Sequence, residues 1–283
     1  MTKILAIANQ KGGVGKTTIA TQLAFDLALR RGKRVLYIDM DAQGNGSTVL
    51  LKGMEIAGLE AHDLFNPNLE AVCPQKTRFE NIDIIPTQCN SLASYSMEGL
   101  PDTSIADPKK HLVKIKDQYD IILIDCPPHL GIKLRAALTM SDAVLCPIRL
   151  CGFSLEGLDG LLTTIRQIQH TENRALKLAG VLINAFDRSV TQQAVLDQIH
   201  ASMNSIVMKN VIRNRTPLDT ANTFGIPLWE VPSAYRAVEN LTDTFEEVYE
   251  KSGIEVPKLE PKKKTKWVIR KQPLKRSQPT LID

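Results

Sequence analysis

The chain has no uninterrupted run of 18 apolar residues, so no helix crossing a membrane is expected. Its five cysteines, Cys73, Cys89, Cys126, Cys146 and Cys151, include no C-x-x-C pair. That points away from a metal or cluster site and toward reduced thiols, mostly small core residues. Met-Thr-Lys leads at once into an apolar stretch, so a signal peptide does not fit. No leading segment is long enough for a helix-turn-helix module, and there is no internal repeat. What these absences leave is a cytoplasmic protein. Its 283 residues and 43% apolar content suit one large α/β domain with an adequate core.

Charge is unevenly placed. Residues 258–283 hold nine basic side chains (Lys258, Lys262, Lys263, Lys264, Lys266, Arg270, Lys271, Lys275, Arg276) against Glu260 and Asp283. The remainder carries 26 basic and 29 acidic residues, so the body is net −3 and the tail +7. Pro257, Pro261, Pro273 and Pro279 break any long helix there. The expected organisation is a folded body over residues 1–253 and a basic, flexible tail over 254–283.

Apolar strand candidates at 3–8, 34–39, 82–86, 120–125, 143–148 and 178–184 alternate with helical patterns at 17–31, 108–118, 154–170, 191–203 and 232–251. A further short strand is expected at 206–212. Strands alternating with helices predict an α/β fold, a parallel twisted sheet flanked by helices on both faces.

Residues 9–18 read Asn-Gln-Lys-Gly-Gly-Val-Gly-Lys-Thr-Thr, between the apolar run Ile4-Leu5-Ala6-Ile7-Ala8 and a helical face made by Ile19, Ala20, Leu23, Ala24, Leu27 and Ala28. Strand, glycine-rich turn and helix form the context of a phosphate-binding loop. Gly12, Gly13 and Gly15 let the backbone bend so that its N–H groups face a polyphosphate, and the helix adds its positive end. Lys16 supplies charge for the β- and γ-phosphates, and the Thr17 hydroxyl can ligate Mg²⁺. Val14 and Thr18 complete the expected nucleotide contacts. The ordinary pattern would place Gly at position 10, but Gln10 stands there and Lys11 follows.

K-G-G-V-G-K-T resembles the deviant Walker A box of the ParA/MinD family of ATPases. The resemblance covers about residues 3–250 and implies a deviant P-loop NTPase fold, with ATP and Mg²⁺ as cofactors. It further implies that Lys11 reaches the other subunit's nucleotide in a homodimer formed around two ATP molecules. Asp39-Met40-Asp41-Ala42-Gln43-Gly44-Asn45 is similar to the D-x-D-x-Q-G-N run of ParA proteins. On that match Asp41 positions or activates the attacking water and Asp39 supports the Mg²⁺ shell; a polar strand-end cap is the alternative. The apolar strand ending at Asp125, followed by Cys126-Pro127-Pro128, reads as a Walker B strand whose carboxylate holds Mg²⁺ through water. Asn184, at another strand end, is either an adenine contact or a turn cap. Ile212 through Pro227 resembles the ParA segment beside the base, with Arg213 where the family has proline.

ParA is favoured over MinD by the D-x-D-x-Q-G-N run and the tail, whose apolar cluster is only Trp267, Val268 and Ile269. The resemblance implies segregation of low-copy DNA such as a plasmid, on the nucleoid, with non-specific DNA binding and hydrolysis stimulated by a ParB-like centromere-binding adaptor. DNA-contact candidates are Arg188, Lys209, Arg213 and Arg215 on the body and Lys262, Lys263, Lys264 and Lys266 on the tail. The alternatives are a MinD-like positioning ATPase on membranes and a nucleotide-gated scaffold in conjugation.

Overall fold

In the computed structural model the described residues are 1–150 and 154–259, with the side chains of 154–157 left aside. β1 (Lys3–Ile7) sends Leu5 and Ile7 into one apolar cluster and Ala6, with the following Ala8, into another. That double burial is what a parallel strand covered on both faces requires. After the loop, α1 (Lys16–Phe25) passes into a π-helical turn at Asp26–Arg30, then β2 (Val35–Asp39) and the short α2 (Asn45–Leu50) follow. Next come β3 (Gln75–Lys76), β4 (Ile82–Ile85), α3 (Leu92–Ser96), α4 (Asp107–Val113), β5 (Ile121–Asp125) and α5 (Ile132–Met140). β6 (Ala143–Arg149), α6 (Ser154–Thr171), β7 (Lys177–Asn184), α7 (Val190–Met203), α8 (Thr216–Phe224) and α9 (Tyr235–Ser252) complete the order. The sheet runs β3-β4-β2-β5-β1-β6-β7, parallel throughout except for the antiparallel β3–β4 pair at its edge. This is the expected α/β architecture.

Some expected elements differ. Residues 206–212 make one isolated bridge, Val207 with Val181, rather than a strand, and a second bridge joins the next residue, Arg213, to Phe186. The backbone N–H groups of Lys209 and Asn210 each donate to the Glu247 carboxylate at 2.8 Å, so they are unavailable to a ladder. The helix expected over 108–118 stops at Val113. The N–H groups of Lys114 and Ile115 reach back three residues instead of four, and a 3₁₀ turn follows at Lys116–Gln118.

The π turn in the first long helix has a visible cause. It seats the buried Asp26, which accepts from Arg30 Nη1 at 2.7 Å, Arg31 Nε at 2.9 Å and Tyr249 Oη–H at 2.8 Å. Arg31 also donates to Glu246 Oε1 and to the Pro257 carbonyl, both at 2.7 Å, which ties α1 to α9 and to the chain beyond it. Ile254 is buried and Val256 packs on the core, so packing continues past the boundary expected at 253. The basic residues of 260–283 lie outside the described residues. Of the described cysteines Cys126 and Cys146 are buried while Cys73 and Cys89 are exposed. Among the described residues no helix is long and apolar enough to cross a membrane.

Candidate functional site

The carboxyl ends of β1, β2 and β5 lie side by side, because β5 pairs with both neighbours: Ile7 and Asp39 each stand opposite Asp125. Ligands of open α/β sheets gather at such strand ends. Here three sequence-distant motifs meet.

The loop from β1 to α1 is braced from below. Asn9 donates from Nδ2 to the Pro147 carbonyl at 2.7 Å and accepts from the Lys11 N–H at 2.8 Å. Gly15 adopts φ 93°, and a Cβ there would lie 2.2 Å from Asn184 Nδ2. Only glycine accommodates both the backbone and that approach. Asn184 is buried; its Nδ2 donates to the Val14 carbonyl at 2.8 Å, and its Oδ1 accepts from the Ala185 N–H. Its observed contacts therefore hold the loop. No side chain caps α1, so the first N–H groups of the helix keep their capacity for an anion. Thr18 faces elsewhere: its hydroxyl oxygen accepts from Asn222 Nδ2 of α8 at 2.7 Å.

Lys16 is buried at 6% exposure and donates to the Lys11 carbonyl at 3.4 Å. Burial lowers its pKa, against the pull of Asp125 and Asp41. Lys11 itself is exposed.

Asp125 and Asp39 are fully buried cross-strand neighbours. Burial raises both carboxyls. The Asp125 charge adds to this at Asp39, whereas Thr17, Lys16 and Tyr37 oppose it at Asp125. Asp39 is satisfied: Oδ2 accepts from the N–H and Oγ–H of Ser47, both at 2.8 Å, and Oδ1 from the Asp41 N–H at 3.2 Å. Asp125 is not, since Oδ2 accepts from Tyr37 Oη–H at 3.0 Å while the buried Oδ1 has no hydrogen-bond partner. An unpaired buried carboxylate oxygen beside a threonine hydroxyl and a second carboxylate is what a divalent cation fits. Among the described residues no three His, Cys, Asp or Glu side chains form a metal cage. Mg²⁺ bound through one or two protein groups and substrate phosphates needs no such cage. Asp41, also buried, accepts from the Gln43 N–H at 3.1 Å, which fixes the turn that carries it.

Several supporting residues escaped the sequence reading. Ser47 and Thr87 form a chain behind Asp39: the Thr87 N–H donates to Ser47 Oγ at 2.9 Å and its hydroxyl to the Asp39 carbonyl at 2.6 Å. Lys133 is buried on α5 and donates to Ser94 Oγ at 3.1 Å. A lone lysine among Ile132, Leu134, Ala136 and Ala137, directly after the Asp125 loop, was the available signal.

The body residues named as DNA contacts fall into two settings. Arg188 and Lys209 are exposed. The Phe186–Arg213 bridge lays the turn after β7 against Arg213, whose N–H donates to Asn240 Oδ1 at 2.9 Å. Arg215 lines a cavity of about 700 Å³ with Asn214, Thr216, Tyr235 and Arg236, and its buried Nε has no partner. Arg236 is a cation the sequence reading passed over. Lys262, Lys263, Lys264 and Lys266 lie outside the described residues.

A family model described as an AAA domain matches residues 2–178. The chain is 38% identical over 253 residues to the sporulation initiation inhibitor protein Soj of Bacillus subtilis, covering 88% of this chain and 98% of that one. It is 35% identical over 238 residues to the chromosome partitioning protein ParA of Caulobacter vibrioides, covering 80% and 86%. Among solved structures, an ATP complex of a McdA variant from Cyanothece superposes with a TM-score of 0.78 at 22% identity, over 90% of this chain and 97% of that one. That likeness concerns the fold.

Proposed function

The chain belongs to the ParA-type partitioning ATPases, and on that footing we propose that it segregates a low-copy plasmid on the nucleoid through an ATP-dependent homodimer. It is an ATPase that takes ATP and Mg²⁺. The observation that carries the reading is the convergence at the carboxyl end of the sheet of the Lys11–Lys16 loop, the Asp39–Asp41 turn and the Asp125 strand end.

When bound, Mg²⁺ offsets phosphate charge, and Thr17, Asp39 and Asp125 are the residues to hold it. The chain's own groups do the rest. Backbone N–H groups of residues 12–18 bind the phosphates, and Lys16 neutralises the charge that develops on the leaving side. Asp41 orients the attacking water and receives its proton. Each subunit's Lys11 reaches the nucleotide of the other, so the complete site exists only in the dimer. Arg188, Lys209, Arg213 and Arg215, with the tail lysines, bind DNA phosphates without reading sequence. A ParB-like adaptor bound to a centromere site stimulates hydrolysis and release. Co-incubation of the protein, non-specific DNA and the product of the adjacent reading frame tests this. The reading requires ATP turnover to rise only when all three are present; turnover indifferent to both additions would reject the partition role.

A further inference from the structure

The buried cations among the described residues are Lys16, Arg31 and Lys133. Arg31 has Asp26 and Glu246 in ion-pair contact, and Lys16 belongs to the phosphate loop. Lys133 is 1% exposed, and no carboxylate among the described residues is in ion-pair contact with it. An ammonium leaves water at a cost that an apolar helix face does not repay, so its charge must be directed at something. The charges that favour its ionised form are Glu98, Asp41 and Asp39, against burial, which lowers it. Two of these are the carboxylates at the end of β2.

Its placement is fixed from two sides. Ser94 Oγ on α3 accepts from its Nζ at 3.1 Å. Glu98, in the turn after α3, holds the first turn of α5: Oε2 accepts from the Ile132 N–H at 2.8 Å and Oε1 meets His129 Nε2 at 3.1 Å. This carboxylate closes so tightly on Gly131 that a Cβ there would lie 1.7 Å from Oε2. The same α3 segment reaches the Asp41 turn, where Gln43 Nε2 donates to Tyr95 Oη at 2.6 Å. One short segment thus spans the two loops that follow β2 and β5.

We propose that Lys133 is a positioning residue for ATP hydrolysis: anchored on Ser94, its buried ammonium orients the Asp41 carboxylate toward the attacking water and offsets the negative charge at the end of β2. This rests on the role given to Asp41 above. On this proposal Lys133 acts through Asp41 and not directly on the nucleotide or the water.

Single-turnover hydrolysis and nucleotide affinity separate the cases, measured on the full chain with saturating DNA for the wild type, Lys133→Met, Ser94→Ala, Asp41→Ala and the Lys133→Met/Asp41→Ala double variant. Methionine keeps the volume and removes the charge. The expected result is a rate about tenfold lower for Lys133→Met, from the loss of one buried charge that acts on Asp41 without ion-pair contact. Affinity for a non-hydrolysable ATP analogue stays within about twofold, so the loss falls on the chemical step. Ser94→Ala shows the same pattern more weakly, and the double variant is no slower than Asp41→Ala alone. A wild-type rate in Lys133→Met would overturn the proposal. So would an affinity loss matching the rate loss, or further slowing in the double variant. Should Lys133→Met fail to fold, a wild-type rate in Ser94→Ala overturns it. A wild-type rate in Asp41→Ala would instead reject the role of Asp41, a distinct failure.

Discussion

Lys16, at 6% exposure at the head of α1, has its pKa lowered by burial while Asp125 and Asp41 raise it, and the loop around it is built for phosphate charge. Lys16→Ala therefore removes ATP binding while leaving the fold intact; titration with labelled ATP checks this, and undiminished affinity would end the assignment. The neighbouring carboxylates make a second prediction, for the protein free of metal and nucleotide. Asp39 and Asp125 both titrate above their ordinary range when folded. Between the ordinary and raised values the folded chain holds protons that the unfolded chain has released. Stability is then greatest below the ordinary carboxylate range and is lost as pH rises through the raised values. The melting temperature in a chelating buffer falls from about pH 5 to about pH 8, and Asp39→Asn, which stays neutral, flattens the decline. A rising or level profile in the wild type would contradict the charge-crowding account.

At the scale of elements, the loop and the helix behind it are held by contacts remote in sequence. Asn184 at the end of β7 carries the Val14 carbonyl. Asn184→Ala leaves that carbonyl without its buried donor and loosens the loop, so ATP affinity should fall about tenfold, the effect of one lost buried hydrogen bond. Isothermal titration measures it, and unchanged affinity would show that the loop needs no brace. The phosphate loop, the Asp39–Asp41 turn and the Asp125 strand were legible because their chemistry demands fixed residue types at adjacent positions. The brace was not: Asn184 read equally as a base contact or a turn cap, and only the fold places it 170 residues away under Val14. Lys133, Ser94 and Glu98 were hidden for the same reason, their contacts spanning 34 to 39 residues. The strands of the sheet proper showed in the pattern because burial on both faces makes near-continuous apolar runs. Helices α2, α5 and α8 are 6, 9 and 9 residues long, too short for periodicity to stand out, and 206–212 looked like a strand although Glu247 takes its N–H groups.

Across the whole molecule, the packed body carries net −3 and the segment after it +7. On the proposed role, non-specific DNA affinity is expected to come from the tail and from the cations beyond β7. Each phosphate neutralised contributes about −0.9 to the log–log slope of affinity against salt. Removing residues 258–283 should flatten that slope without changing nucleotide binding. If the truncation keeps the full slope while an Arg213/Arg215 double alanine variant loses it, the folded surface carries the DNA and the tail does not. The proposed ATP-dependent dimer would link this surface to the nucleotide. Lys11→Ala, which leaves Lys16 and the glycines in place, should still bind ADP as a monomer yet fail to dimerise with a slowly hydrolysed ATP analogue, as read by light scattering. The most direct test of the account compares binding of a non-specific DNA duplex to the full-length protein with Mg²⁺ and either ATP or ADP, followed by fluorescence anisotropy. The account predicts salt-sensitive binding with ATP and little with ADP; equal binding in both, or none in either, would contradict it.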